Sequence, residues 1–159
     1  MNELLNLLKQ NALESPENLA KMLGSSVEEV KNQIDQYEKD GVIRAYQAVV
    51  NEERLDASLV TTVIEVKVTP ESDGGFDRIA DRISRFPEVD SVFLMSGGFD
   101  LLLFIKGRTM QESFSFVSEK LSTMPGITST ATHFMMKTYK QNGIMMHTGE
   151  DDERLKVSP

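Results

Sequence analysis

The chain contains no cysteine. That excludes disulfides and thiolate metal sites, and it suits a reducing compartment. Histidine is scarce too: His133 and His147 are the two in 159 residues. No spaced carboxylate cluster accompanies them, so no metal site is expected. No apolar run reaches the roughly 20 residues of a membrane span. The opening MNELLNLLKQN lacks the basic start and apolar core of a signal peptide. A soluble, cytoplasmic protein with no membrane partner is the expectation. Ser-His-Asp spacing, a phosphate-binding loop and a Rossmann fingerprint are missing as well, so no cofactor is expected.

A basic excess is also lacking. The net charge is -8. Residues 1–56 hold six Lys/Arg against eleven Asp/Glu, and residues 57–159 hold eleven against fourteen. Phosphate neutralisation supplies most non-specific affinity for nucleic acid, so an acidic chain binds polyanions poorly.

What is present divides into two patterns. Residues 1–41 read as three short helices. Leu4, Leu5, Leu7 and Leu8 form the first apolar stripe. Ser15 before Pro16 fits an N-cap followed by proline at the first helical position. Leu19, Met22 and Leu23 share a face, and Gly24 stops that helix. Ser26 with Glu29 has capping-box spacing and opens the third helix, whose Val30, Ile34 and Tyr37 should face inward. Gly41 closes it. VIRAYQAVV, residues 42–50, is rich in β-formers and reads as a strand, and NEERLDA as a polar connector. Three helices, a tight turn and a strand predict a winged helix-turn-helix over 1–56.

Beyond residue 57 the periodicity changes. LVTTVIEVKVT reads as a strand, and Phe76, Ile79, Ile83 and Phe86 form a helical stripe stopped by Pro87. VDSVFLMS and FDLLLFIKG flank Gly97-Gly98 as a hairpin. A helix capped by Thr109, with Glu112 at box spacing, precedes Pro125-Gly126 and a last strand, ITSTATHFMMKTY. The order is β-α-β-β-α-β, a ferredoxin-like unit over 57–140, with a tail over 141–159. The fold class is α+β. RISRFPEVDS and EKLSTMPGITS follow one plan, which agrees with two β-α-β halves. Two helices can cover one face of such a sheet. Val63, Phe93, Phe104 and Phe134 are available for the other, and an open apolar face predicts at least a dimer.

Three segments carry a resemblance: NLAKMLGSSVEEVKNQIDQYEKDGVIRAY, SGGFDLLLFIKG and MPGITSTATHF. In this order and spacing, the chain resembles the Lrp/AsnC (feast/famine) family of prokaryotic transcription regulators over about residues 1–140. The resemblance implies a DNA-binding helix-turn-helix, a ferredoxin-like effector domain, and dimers that often assemble into octamers with a metabolite between them.

DNA contacts would then come from Ser26, Val27, Glu28, Lys31, Asn32, Gln33 and Gln36 on the third helix, with Arg44 beyond it. Asn32, Gln33 and Gln36 can pair with adenine edges, and Glu28 can accept from cytosine N4. The sequence departs from the family here. Gln33 stands at a place that is commonly arginine, and Glu29 at a frequent threonine.

SGGFD suits a free amino acid: exposed backbone N–H groups at Gly97 and Gly98 for its carboxylate, and Asp100 for its ammonium. The motif matches the family's Gly-x-Tyr/Phe-Asp hairpin, with Phe99 as the aromatic and Ser96 preceding it. By the same carry-over Thr130 and Thr132 add hydroxyls. Without the resemblance, the same stretch reads as a glycine hairpin with Asp100 bonded to its own turn.

Two other functions fit this composition. One is an amino-acid sensor that acts on protein partners through a degenerate helix-turn-helix. The other is an enzyme: siroheme decarboxylases resemble this two-domain family and are expected to use histidines and basic residues. His133 alone in the core of an acidic chain argues against that, so no enzyme is expected. His133 reads as a satisfied sheet residue, the methionine pairs 135–136 and 145–146 as packing, and EDDER as solvated tail.

Overall fold

The structure is a computed structural model that describes residues 2–55, 59–69 and 75–147. The tail run EDDER and Asp56, at the expected domain boundary, lie outside the described residues. The chain divides into two units between Ala48 and Val49.

The first unit holds α1 (Glu3–Gln10), α2 (Pro16–Leu23) and α3 (Val27–Lys39). Each helix starts at a capping side chain, α2 and α3 at the two read from the sequence. Asn2 accepts from Leu4 N, Ser15 from Asn18 N, and Ser26 from Glu29 N. At α3 the box is complete and extended. Glu29 Oε2 accepts from Ser26 N at 3.0 Å and from Ser25 Oγ at 2.6 Å. These donors, Ser25 first, hold the Glu29 carboxyl below its ordinary pKa. Gly24 ends α2 at φ +63°, a left-handed conformation that costs a residue with a Cβ about 1 kcal/mol or more. Leu4, Leu8, Leu19, Ala20 and Val30 are buried together, with Ile34 and Tyr37 packed against them.

The expected wing strand is absent: among the described residues, none between 42 and 50 is in a strand. β-propensity expresses itself only where a partner strand takes up the backbone groups. Here Val42, Tyr46 and Val50 stay about half exposed. Tyr46 instead turns its hydroxyl to Glu38 Oε1 at 2.8 Å.

The second unit holds β1 (Val60–Val68), α4 (Asp77–Ser84), β2 (Val89–Leu94), β3 (Leu101–Gly107), α5 (Met110–Ser115), β4 (Ile127–Phe134) and a small hairpin of β5 (Lys140–Gln141) and β6 (Ile144–Met145). The first four strands form one antiparallel sheet in the order β2-β3-β1-β4, the split β-α-β arrangement. The unit begins before the connector ends, because residues 51–53 bond to it. Asn51 Nδ2 donates to the Met146 carbonyl at 2.7 Å, and Lys106 Nζ to Glu52 Oε1 at 2.9 Å.

Strand alternation sets the core. Ile64, Val66 and Val68 of β1 and Leu101, Leu103 and Ile105 of β3 face Ile79 and Ile83 of α4. Each such side chain contributes about 1.5–3 kcal/mol on burial. The buried pair Thr62 and Ser113 satisfies itself through a 2.8 Å hydroxyl contact. After Ser115 the α5 ladder widens to a π-helical stretch, Phe116–Leu121, with Ser122 N donating to Val117 O. Ser118 and Thr123 hydroxyls bond back to carbonyls of the same turns, which competes with regular helix spacing.

The face turned away from the helices carries Val63, Phe93 and Phe104. Phe93 is half exposed, its ring edge-on to Phe104 at 6.0 Å. Phe134 does not join them. It stands opposite Thr62, and cross-strand partners share a face, so it lies on the helix side. Among the described residues, no helix is long and apolar enough to cross a membrane.

Candidate functional site

The opening of the β2–β3 hairpin is broader than a two-glycine turn. β2 ends at Leu94 and β3 begins at Leu101, leaving a six-residue loop. Met95 N donates to Asp100 O at 2.8 Å and closes its neck. Gly97 takes φ +139°, whereas Gly98 keeps an ordinary φ. A Cβ built on either glycine would meet nothing within 4 Å. The glycine backbone is therefore presented to solvent.

Among the described residues, the Asp100 side chain makes no bond within its own turn. The Asp100 backbone amide donates to Val66 O at 3.0 Å, and its Oδ2 accepts from Val68 N at 2.9 Å. The carboxylate thus pairs the last N–H of β1, just where β3 has not yet begun to pair with it. One oxygen is engaged in holding the loop, and among the described residues Oδ1 has no hydrogen-bond partner. Phe99 and Asp100 are half-buried, while Ser96, Gly97 and Gly98 are exposed.

Register decides where the two threonines stand. Thr130 pairs with Val66, the residue whose carbonyl holds Asp100 N. Thr130 and the loop thus flank the same end of β1. Thr132 pairs with Ile64, two residues deeper into the sheet. Both share the helix-side face. Ala131 and His133 take the open one, where His133 Nε2 lies 3.4 Å from Glu65 Oε1.

Not all of the α3 residues expected to contact DNA point outward. Glu28, Lys31, Asn32, Gln33 and Gln36 are exposed, while Val27 packs against the core of the first unit. Two of the amides already have intrahelical partners. Gln33 Nε2 donates to Tyr37 Oη at 3.1 Å and Gln36 Nε2 to Asp40 Oδ1 at 2.9 Å. Ser26 is engaged as the cap. Arg44, exposed, lies close over Gly41. Four carboxylates, Glu28, Glu29, Asp35 and Glu38, face two lysines, Lys31 and Lys39, along this helix. Among the described residues no group of three His, Asp or Glu could hold a metal ion.

A family model for the Lrp/AsnC ligand binding domain matches residues 61–145. The chain is 48% identical over 158 residues to the HTH-type transcriptional regulator YugG of Bacillus subtilis, covering 99% of this chain and 95% of that one. It is 30% identical over 144 residues to the leucine-responsive regulatory protein of Haemophilus influenzae, covering 91% and 86%. Its fold is shared by a transcriptional regulator of Neisseria meningitidis solved in complex with L-methionine, with a TM-score of 0.70 at 23% identity over 89% of this chain and 93% of that one. The chain belongs to the Lrp/AsnC family of transcriptional regulators and carries that family's ligand-binding domain.

Proposed function

We propose that this regulator binds DNA through a helix-turn-helix formed by α2 and α3, and that an amino acid or related small metabolite binds at the Gly97–Asp100 loop. The observation that carries the proposal is the loop itself. Its glycine backbone is open to solvent, and beside it stands a carboxylate fixed by Val68 N, with one oxygen available. Backbone N–H groups suit a ligand carboxylate and Asp100 suits its ammonium. Ser96 and Phe99 belong to the same turn, Thr130 stands across β1 from it, and Thr132 lies further along β4. The L-methionine bound by the structural relative from Neisseria meningitidis supports this ligand class.

The loop projects rather than encloses, so a ligand there gains burial only from a second surface. A second copy of the chain is the natural source. The half-exposed Phe93 on the open sheet face supports a homodimer, and the unpaired β-rich segment 42–50 supports contacts beyond it, up to an octamer. A cytoplasmic location goes with this reading.

Charge shapes DNA binding. Asn32, Gln33, Gln36 and Glu28 supply base-edge chemistry, while Lys31 and Arg44 supply phosphate contacts. The carboxylates of α3 oppose the duplex, so each protomer binds weakly and repetition within an oligomer supplies avidity. The acidic α3 also favours a second reading, a sensor acting on protein partners through a helix-turn-helix that no longer reads DNA. The named relatives are regulators, and no reaction is proposed.

Fluorescence anisotropy with labelled DNA from the chain's own upstream region, at low salt and with and without each common amino acid, tests the proposal. Binding that an amino acid shifts supports it. No binding in any condition contradicts it. In that case Glu28→Lys with Asp35→Lys, leaving regulation in cells unchanged, would point to the protein-partner reading.

A further inference from the structure

The sheet has a second functional end. Where β1 begins and β4 finishes, opposite the glycine loop, a cleft of about 350 Å³ opens within the second unit. Segments far apart in sequence build it: residues 50–55, 59–61 and 135–146. Two bonds hold them together. Asn51 Nδ2 donates to the Met146 carbonyl at 2.7 Å, and Thr138 N donates to Glu53 Oε1 at 3.3 Å. The other oxygen of Glu53 lies 3.4 Å from His147 Nε2. Asn51 and Glu53 are therefore wall-building residues.

The floor is apolar and open. Leu55, Leu59, Met135, Met136 and Met146 line it, and Met136 is 87% exposed. A concave apolar site of this volume, with a few polar groups at its edge, is of a size that takes a small ligand. Thioether side chains adapt to the occupant's shape.

Charge selects the ligand class. Glu52 lines the cleft, and its Oε1 accepts from Lys106 Nζ at 2.9 Å. Its Oε2 has no hydrogen-bond partner among the described residues. Lys137 is the one cation among the lining residues, and its ammonium sits 5.1 Å from the centroid of the Tyr139 ring, outside the lining. Lys106 offsets one of the two lining carboxylates, so what the cleft offers a ligand is the unpartnered Glu52 Oε2 beside an apolar floor. We propose that this cleft binds a small aliphatic primary amine, with the ammonium on Glu52 and the hydrocarbon body over the leucine and methionine side chains. A free amino acid fits less well, because its carboxylate faces Glu52 and Glu53. An aliphatic acid fits worst. This site is separate from the Gly97–Asp100 loop and does not depend on the reading of that loop.

Calorimetry on the full chain as purified, with 3-methylbutylamine, L-leucine and 4-methylpentanoate, tests the proposal. The amine is expected to bind saturably, L-leucine to add nothing at this site, and the acid to give no heat. Glu52→Gln should weaken the amine about tenfold, the loss of one charge-assisted bond. Lys106→Met should tighten it roughly threefold by freeing the second oxygen, a gain that a merely structural role for Glu52 would not produce. Asp100→Asn should leave amine binding unchanged. A flat amine titration, as when a second copy covers the cleft, overturns the proposal. So does equal binding of the acid, or indifference to Glu52→Gln in a variant that melts like the wild type. Loss of amine binding in Asp100→Asn overturns it as well.

Discussion

The two ends of the central sheet present chemistry in opposite ways. At the β3 entrance the backbone is the exposed material: glycines without neighbours, and an aspartate whose carboxylate completes strand pairing. At the β4 exit side chains do the work, with thioethers and leucines beneath carboxylates and the backbone tied off by Asn51 and Glu53. A site made of backbone accepts many ligands that share a head group. A site made of side chains discriminates by the body of the ligand. The same scaffold can thus hold two kinds of recognition about one strand length apart, without either disturbing the other's packing.

The comparison breaks most completely if the shared scaffold is loosened. Leu103 is fully buried at the centre of β3. Leu103→Ala should lower unfolding free energy by about 2–5 kcal/mol in urea titrations, and it should reduce binding at both ends. Asp100→Ala acts at one end. It leaves Val68 N without its acceptor and should cost about 1–3 kcal/mol, with Asn recovering part of that because an amide oxygen still accepts. The cleft should be unaffected in both variants. Asn51→Ala is the mirror experiment. Losing its bond to Met146 should cost about 1 kcal/mol and weaken the cleft alone. Faster hydrogen exchange confined to residues 139–146 would confirm that assignment.

The smallest expected effect is a pH dependence at neither end. Lys120 bonds to Glu88 and holds its carboxyl below the ordinary value of 4.5, against the opposing pull of partial burial. A depressed carboxyl contributes stability that is full above that ordinary value and is lost as pH falls through the lower, folded one. Both groups are about a third exposed or more, so the contribution should stay below about 1 kcal/mol. Comparing wild type with Glu88→Gln in urea at pH 7 and pH 3 should show a difference at the first pH that is smaller at the second.

What could be read from the sequence followed from how local each feature is. Ser15-Pro16, Ser26 with Glu29, and Thr109 open their helices because capping depends on neighbours three residues apart. At the last of these the reach is longer than the box spacing implies: Glu112 Oε2 accepts from Arg108 N. The Gly97–Asp100 loop was legible because its residues are contiguous. The phase of β4 was not. Alternation is visible in ITSTATHF, but pairing register alone decides which set faces the helices, and one residue of slip exchanges Phe134 with His133. Residues 42–50 have strand composition without a strand, because the partner that would pair with them is not nearby in the chain. The cleft could not be seen at all, since the bonds that build it join residues 85 and 95 positions apart.

The central claim is that the glycine loop becomes a small-molecule receptor where copies of the chain meet. Its most direct test is one experiment on one sample: light scattering for mass, then calorimetric titration of the common amino acids. The account predicts a multiple of the 17.8 kDa protomer and a saturable heat for at least one amino acid, lost in Asp100→Asn. A lone protomer with flat heats throughout would contradict it.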